Sequence, residues 1–177
     1  MTDQSILIIA GTNRNNSLSS ATAHHYAQIL EKKGASAQVL ELTSLPPDFT
    51  ATALYQNMGK NKEFNLLAAQ VEQAQKYVFI VPEYNRSFPG VLKAFIDGLS
   101  PRIFTGKRCA LVGLSQGMHG GSFALGHLTD IFHYFRMHVY PLKPTLGNIT
   151  DSRLETVLAN SRYIKLLEEQ AEGIIKY

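Results

Sequence analysis

Short apolar runs alternate along this chain with longer stretches in which apolar positions recur every three or four residues, and the alternation persists from end to end. The runs at 5–10, 37–42, 77–81, 108–114 and 138–142 are too short for helices. Several lack strict alternation, as expected of strands buried on both faces. The stretches between them predict helices. The first covers 18–33, where Leu18, Ala21, His25, Ile29 and Leu30 share a face and Gly34 ends the helix. A second carries Phe64, Leu67, Ala68, Val71 and Ala74. Pro89 sits in the first turn of a third that runs to about Gly98, and a fourth covers about 122–136. A last helix begins at Asp151 or Ser152, with Glu155 placed to complete a capping box on Ser152, and continues through Leu158, Ile164 and Leu167. Five strands alternating with five helices give an α/β protein whose parallel sheet is flanked by helices, and 177 residues suit a single domain, 1–177.

Residues 43–62 break the rhythm, because Pro46 and Pro47 are followed by mixed residues without a clear period. This stretch reads as a long loop, a lid or a dimer contact rather than a linker. In a doubly wound sheet the ligand sits beyond the carboxyl ends of the strands, where the strand order reverses. The loops that matter are therefore 11–19, 82–89 and 115–121.

The first loop, Gly-Thr-Asn-Arg-Asn-Asn-Ser-Leu-Ser, packs hydroxyls, amides and one arginine ahead of a helix N-terminus. Free N–H groups and the helix dipole favour an anion there. Thr12, Ser17 and Ser19 add hydroxyl donors, and Arg14 neutralises a dianion. The loop lacks Gly-x-Gly-x-x-Gly and Gly-Lys-Ser/Thr, so a phosphate monoester is favoured over a pyrophosphate or triphosphate. The bland reading is a polar turn in which Ser17 caps the helix. The second loop joins the stiff Pro82 and Pro89 through Glu83, Tyr84 and Asn85, and it suits a flat polar ring held by backbone groups of Glu83 to Asn85 with Tyr84 packed on its apolar part. Its bland counterpart is a structural turn around Pro89.

Pro82-Glu83-Tyr84-Asn85, followed by Pro89, Gly90, Leu92, Lys93, Ile96 and Asp97, resembles the signature of the NADPH-dependent FMN reductase family with its related quinone and azo reductases. Gly11, Thr12, Arg14 and Ser17 follow that family's opening Gly-Ser-x-Arg-x-x-Ser with Thr for Ser. Ser115, Gly117, Gly120 and Gly121 meet its Ser-x-Gly-x-x-Gly-Gly. The resemblance implies a flavodoxin-like α/β/α fold of three layers, with a five-stranded parallel sheet in the order 2-1-3-4-5. It also implies that Thr12, Arg14, Ser17, Ser19 and the backbone of Leu18 bind the phosphate of FMN, that Pro82, Glu83, Tyr84 and Asn85 hold the ring, and that Ser115, Gly117 and Gly120 lie near it. The glycines would let a ring or a nicotinamide approach the backbone. The activity implied is ping-pong hydride transfer from NADPH or NADH through FMN to a small acceptor such as a quinone, an azo compound or free flavin. No protein side chain need be catalytic. A homodimer or homotetramer is also implied. The chain departs from the family at Ala94 and Phe95, at Gly98 where an aromatic is common, and at Gln75 where Asp is frequent; these departures touch packing and acceptor choice rather than flavin contacts.

Two rival readings share these residues. Gly113-Leu114-Ser115-Gln116-Gly117 fits the nucleophile elbow of α/β-hydrolases, but Asp130 and His133 share one predicted helix and no histidine follows Asp151, so the triad order is not completed. A non-catalytic FMN electron carrier shares fold and cofactor, but such carriers are typically acidic, and this chain has a net charge of +3. Its basic residues never form a dense run, which argues against nucleic acid as a partner. Cys109 is the only cysteine, which excludes an intramolecular disulfide and suits a reducing cytoplasm. The pairs His24/His25 and His133/His138 lack the spacing of a shared metal face, so no metal is expected. Phe132, Tyr134, Phe135 and Tyr140 read as a core or dimer-contact cluster. The opening apolar run is far short of the ~20 residues that span a membrane.

Overall fold

The computed structural model describes residues 5–149 and 154–177. Three parallel strands rich in branched and aromatic residues form the centre, β1 (Ile6–Ala10), β3 (Lys76–Pro82) and β4 (Arg108–Leu114), and β2 (Ala37–Glu41) lies at the edge beside β1. The sheet runs in the order β2-β1-β3-β4-β5, the doubly wound order, and its reversal point lies between β1 and β3.

Alternate residues of each strand serve opposite faces. Ile6, Ile8, Val78, Ile80, Ala110 and Val112 pack under helices α1 (Leu18–Lys32), α6 (Leu154–Leu158) and α7 (Ser161–Lys176). Leu7, Ile9, Tyr77, Phe79, Cys109 and Leu111 pack under α2 (Phe49–Thr52), α3 (Lys62–Gln73), α4 (Gly90–Asp97) and α5 (Ser122–Tyr134). Cys109 lies in that second layer, where burial pushes its thiol up to about 12 and leaves it unreactive. Lys93 and Asp97, both in the motif of the second loop, pair with each other one helical turn apart at 2.7 Å. Gly98 is explained by the ring of Phe64, which occupies the space a side chain would need: a Cβ there would lie 2.5 Å from the ring.

Four expectations from the pattern require correction. The fifth strand is not continuous. It is two pieces, β5 (His138–Val139) and β6 (Thr145–Leu146), each parallel to β4, because Pro141 and Pro144 lack the N–H that a ladder needs. Gln170 of α7 bridges the gap. Its fully buried amide donates to the carbonyls of Leu111 (2.9 Å) and Leu142 (2.7 Å), and its oxygen accepts from the Tyr26 hydroxyl at 3.0 Å. The helix expected from Asp151 or Ser152 has its start outside the described residues, and from Leu154 onward it divides into α6 and α7, because Asn160 caps a new helix by accepting from the amides of Arg162 and Tyr163. Residues 43–62 are not a bare loop: they hold α2 and a further tight turn at Tyr55–Asn57, and Phe49, Ala53 and Leu54 are buried, with Phe49 stacked on Phe64. The aromatic cluster separates as well. Phe132 and Phe135 pack on Phe104, Tyr134 is exposed, and Tyr140 joins Tyr177 on the other face.

Candidate functional site

At the carboxyl end of the sheet, beside the reversal point, lies a cavity of about 420 Å³. The loops after β1, β3 and β4 form it. Arg14, Ser17, Leu18 and Ser19 line one side; Pro82, Glu83, Tyr84 and Ser115 line the rest.

The first loop is shaped by the start of α1. Gly11 lacks a Cβ because the Ile80 carbonyl would lie 3.1 Å away and Leu92 3.2 Å away, so the chain turns tightly against β3 and α4. Asn16 takes a left-handed conformation, which asparagine tolerates, and Ser17 then caps the helix by accepting from the Ser20 amide at 3.1 Å. The amides of Leu18 and Ser19 have no intrahelical acceptor. The first turn of α1 carries no acidic residue, so nothing in it offsets the positive end of the helix dipole. Ser17 serves as helix cap and as cavity wall at once, because its oxygen accepts from the backbone while its O–H is left to donate. Thr12 is not itself in the lining. It sits beneath, 2% exposed, where its hydroxyl accepts from the Arg14 amide at 3.3 Å and lies 3.0 Å from the Tyr84 hydroxyl. Behind the helix, Glu41 at the end of β2 is held below the usual carboxylate range by hydrogen bonds with His24 and Ser20, which fixes the back of the first turn.

The second loop is a two-residue hairpin. Tyr84 and Ser87 exchange backbone hydrogen bonds, and Asn85 and Arg86 between them have φ of 51° and 63°, the type I′ geometry. Three contacts fasten this hairpin to α5. The Glu83 carboxylate accepts from the Phe123 and Ala124 amides at 3.2 and 3.4 Å, the Arg86 guanidinium lies 3.8 Å over the Phe123 ring, and Ser87 Oγ is 2.9 Å from His127 Nδ1. The backbone groups available to a ring are fewer than the sequence suggests. The Glu83 amide is spent on the Leu114 carbonyl and that of Tyr84 on Ser87, which leaves the amides of Asn85 and Arg86 without a backbone acceptor among the described residues.

The third loop is stitched to the segment after β6. The Ser115 amide donates to Leu146, while Asn148 and Ile149 donate to Gly117 and Ser115. Gly120 and Gly117 do not line the cavity. A Cβ on Gly120 would lie 2.6 Å from the Thr145 backbone, so this glycine serves close backbone packing, whereas a Cβ on Gly117 would meet only Ser115 Oγ at 3.5 Å. Asn85 also stands outside the lining. Asn15, Asn16, Leu114, Gln116 and Ile149 complete the wall. The asparagines belong to the polar loop already singled out; Ile149 had no local signal, since only the split of the last strand brings it there. Ser115 is no nucleophile elbow: its φ is not positive, its hydroxyl accepts from the Gly117 amide, and α5 begins seven residues later. Among the described residues no group of three metal-ligating side chains occurs, and no helix is long and apolar enough to cross a membrane.

Residues 5–151 match the family described as NADPH-dependent FMN reductase. The chain is 30% identical over 143 residues to an NAD(P)H-dependent FMN reductase of Pseudomonas aeruginosa, covering 77% of this chain and 73% of that protein. It is 28% identical over 155 residues to a quinone reductase of Escherichia coli, covering 85% and 80%. Among solved structures, the apo form of an NADH:FMN oxidoreductase superposes with a TM-score of 0.78 at 18% identity, over 97% of this chain and 88% of that one. The flavoenzyme NAD(P)H:(acceptor) oxidoreductase of Paracoccus denitrificans gives 0.74 at 21%, over 98% and 96%.

Proposed function

Since the chain belongs to the NADPH-dependent FMN reductase family, we propose that it is an FMN-containing oxidoreductase that moves electrons from NADPH or NADH to a small acceptor, a quinone, an azo compound or free flavin, in two successive half-reactions. The observation that carries this reading is the acid-free first turn of α1, with Arg14 and the Ser17 and Ser19 hydroxyls beside it, opening onto a cavity whose other wall is the Tyr84 hairpin. That donor set fits a phosphate dianion, and the cavity beside it fits a flat ring. Bound FMN would supply the redox chemistry, so no protein side chain need be catalytic.

The chain's own residues hold and shield. Arg14, the two serine hydroxyls and the amides of Leu18 and Ser19 would grip the phosphate. Thr12 and Tyr84 would lock the two walls to each other through their hydroxyls. Pro82 and Tyr84 would keep water from one side of the ring, and the uncommitted hairpin amides offer donors to negative charge that develops there. The residues proposed for the site are Arg14, Ser17, Leu18, Ser19, Pro82, Glu83, Tyr84 and Ser115 in the cavity wall, with Thr12, Asn85 and Gly117 outside the lining. Gly120 supports them from behind. We read residues 1–177 as one such domain, working in the cytoplasm as a homodimer or homotetramer.

The test is Arg14→Ala. Losing one charge-assisted contact should weaken FMN binding by about 1.5–3 kcal/mol, roughly ten- to a hundredfold, while thermal stability of the apo protein stays unchanged because Arg14 is exposed. Flavin fluorescence titration measures it, and an unchanged dissociation constant would remove Arg14 from the site.

A further inference from the structure

We propose that Arg86 is the contact for the phosphate groups of the pyridine dinucleotide that donates electrons, a role that rests on the reductase reading above and deepens it. The first observation is conformational. Arg86 occupies the second position of a type I′ turn at φ 63°, where glycine is free of strain and an arginine costs of the order of 1 kcal/mol. The arginine is thus not the residue that the turn by itself favours.

The second observation concerns the guanidinium itself. It is fixed in place, lying 3.8 Å over the Phe123 ring, with the His119 ring set edge-on to the same phenyl group at 5.5 Å. Yet among the described residues no carboxylate pairs with it. The nearest acid in sequence, Glu83, is committed to the first amides of α5, and Asp130 stands seven residues along α5 from Phe123, about 10 Å away at the rise of a helix. Of the two histidines here, His119 packs on Phe123 and His127 is engaged with Ser87. The result is an exposed guanidinium stacked on a ring, with no direct carboxylate partner among the described residues.

Position assigns its ligand. Glu83 lines the cavity and also binds the Phe123 amide, so Arg86 stands one side chain beyond the cavity wall, on the side of Tyr84 rather than of the loop that carries Arg14. One guanidinium therefore serves the phosphate held inside. The second lies outside the cavity lining, on the hairpin side, and is left for a ligand larger than the cavity. Of the molecules the reading requires there, the donor always carries phosphates, and a planar guanidinium offers them paired hydrogen bonds.

The experiment compares wild type, Arg86→Gly and Arg86→Lys as FMN-loaded proteins, with KM and kcat measured for NADPH, for NADH and for a neutral quinone. Arg86→Gly should raise the donor KM roughly tenfold with kcat and quinone KM changed less than about twofold, and Arg86→Lys should recover part of the loss. Melting temperature should change little in Arg86→Gly, since the relaxed turn offsets the lost contact with Phe123. A rise for NADPH alone places the contact at the 2′-phosphate, and an equal rise for both places it at the pyrophosphate. An unchanged donor KM, a change confined to the quinone, or loss of FMN together with kcat overturns the proposal. A flavin-loaded wild type that oxidises neither nucleotide is a different failure, visible before any variant is made, and it overturns the reductase reading and this proposal together.

Discussion

Replacing Gln170 with leucine should lower the stability of the fold by about 3 kcal/mol or more. The side chain is fully buried and its two N–H groups satisfy the carbonyls of Leu111 and Leu142 at the place where the last strand is broken, while its oxygen takes the Tyr26 proton. Leucine fills a similar volume but orphans two acceptors and a donor, each worth roughly 1–3 kcal/mol when left buried and unmet. Urea denaturation measures the loss. Adding Tyr26→Phe to Gln170→Leu removes one of the orphans and should restore about 1 kcal/mol, a coupling that a mere loss of packing would not produce. A loss below about 1 kcal/mol would mean that the bridge contributes little. The consequence reaches the site, because just beyond the bridge Gly113 of β4 and Ser115, the residue after β4, donate to the carbonyls of Pro144 and Leu146, and those bonds hold the third loop.

Gly120→Ala tests that support directly. A methyl group there would meet the backbone of Thr145, Leu146 and Gly147 at 2.6 to 2.9 Å, and the φ of 58° adds strain for any residue with a Cβ. Backbone does not yield as a flexible side chain does, so the loop must lift away from β6, and Ser115 and Gln116 leave the cavity wall with it. The expected cost is about 2–4 kcal/mol, with FMN affinity falling at least about tenfold. Gly126→Ala is the matched control. It lies mid-helix with nothing within 4 Å of the added carbon, so it should stabilise by about 0.5–1 kcal/mol and leave flavin binding alone. Equal behaviour of the two variants would contradict the packing described here.

The layered fold was legible because its central strands are continuous apolar runs and its first helix carries both an N-cap serine and a terminating glycine, all local signals. The polar loop that lines the candidate site was legible for the same reason: hydroxyls, arginine and helix start lie within nine residues. What escaped depends on partners distant in sequence. Glu83 reads as a ring contact within its own loop, but its carboxylate finds the amides of α5 forty residues on. Gly120 reads as open space for a ligand, yet β6 occupies that space. Pro141 inside the expected last strand was a local warning of its break, since proline interrupts a ladder. Asn160 was hidden because the apolar period continues through it while its side chain starts a new helix. Phe49 and Leu54 lie in pieces too short to show any period, so their burial could not be read from spacing.

Titration of the flavin-free protein with FMN and, in parallel, with riboflavin measures the phosphate grip itself, since the two ligands differ only in that group. FMN should bind at least about a hundredfold more tightly, the value of several charge-assisted hydrogen bonds from the α1 loop. Equal affinity for the two, or no binding of either, would contradict the account.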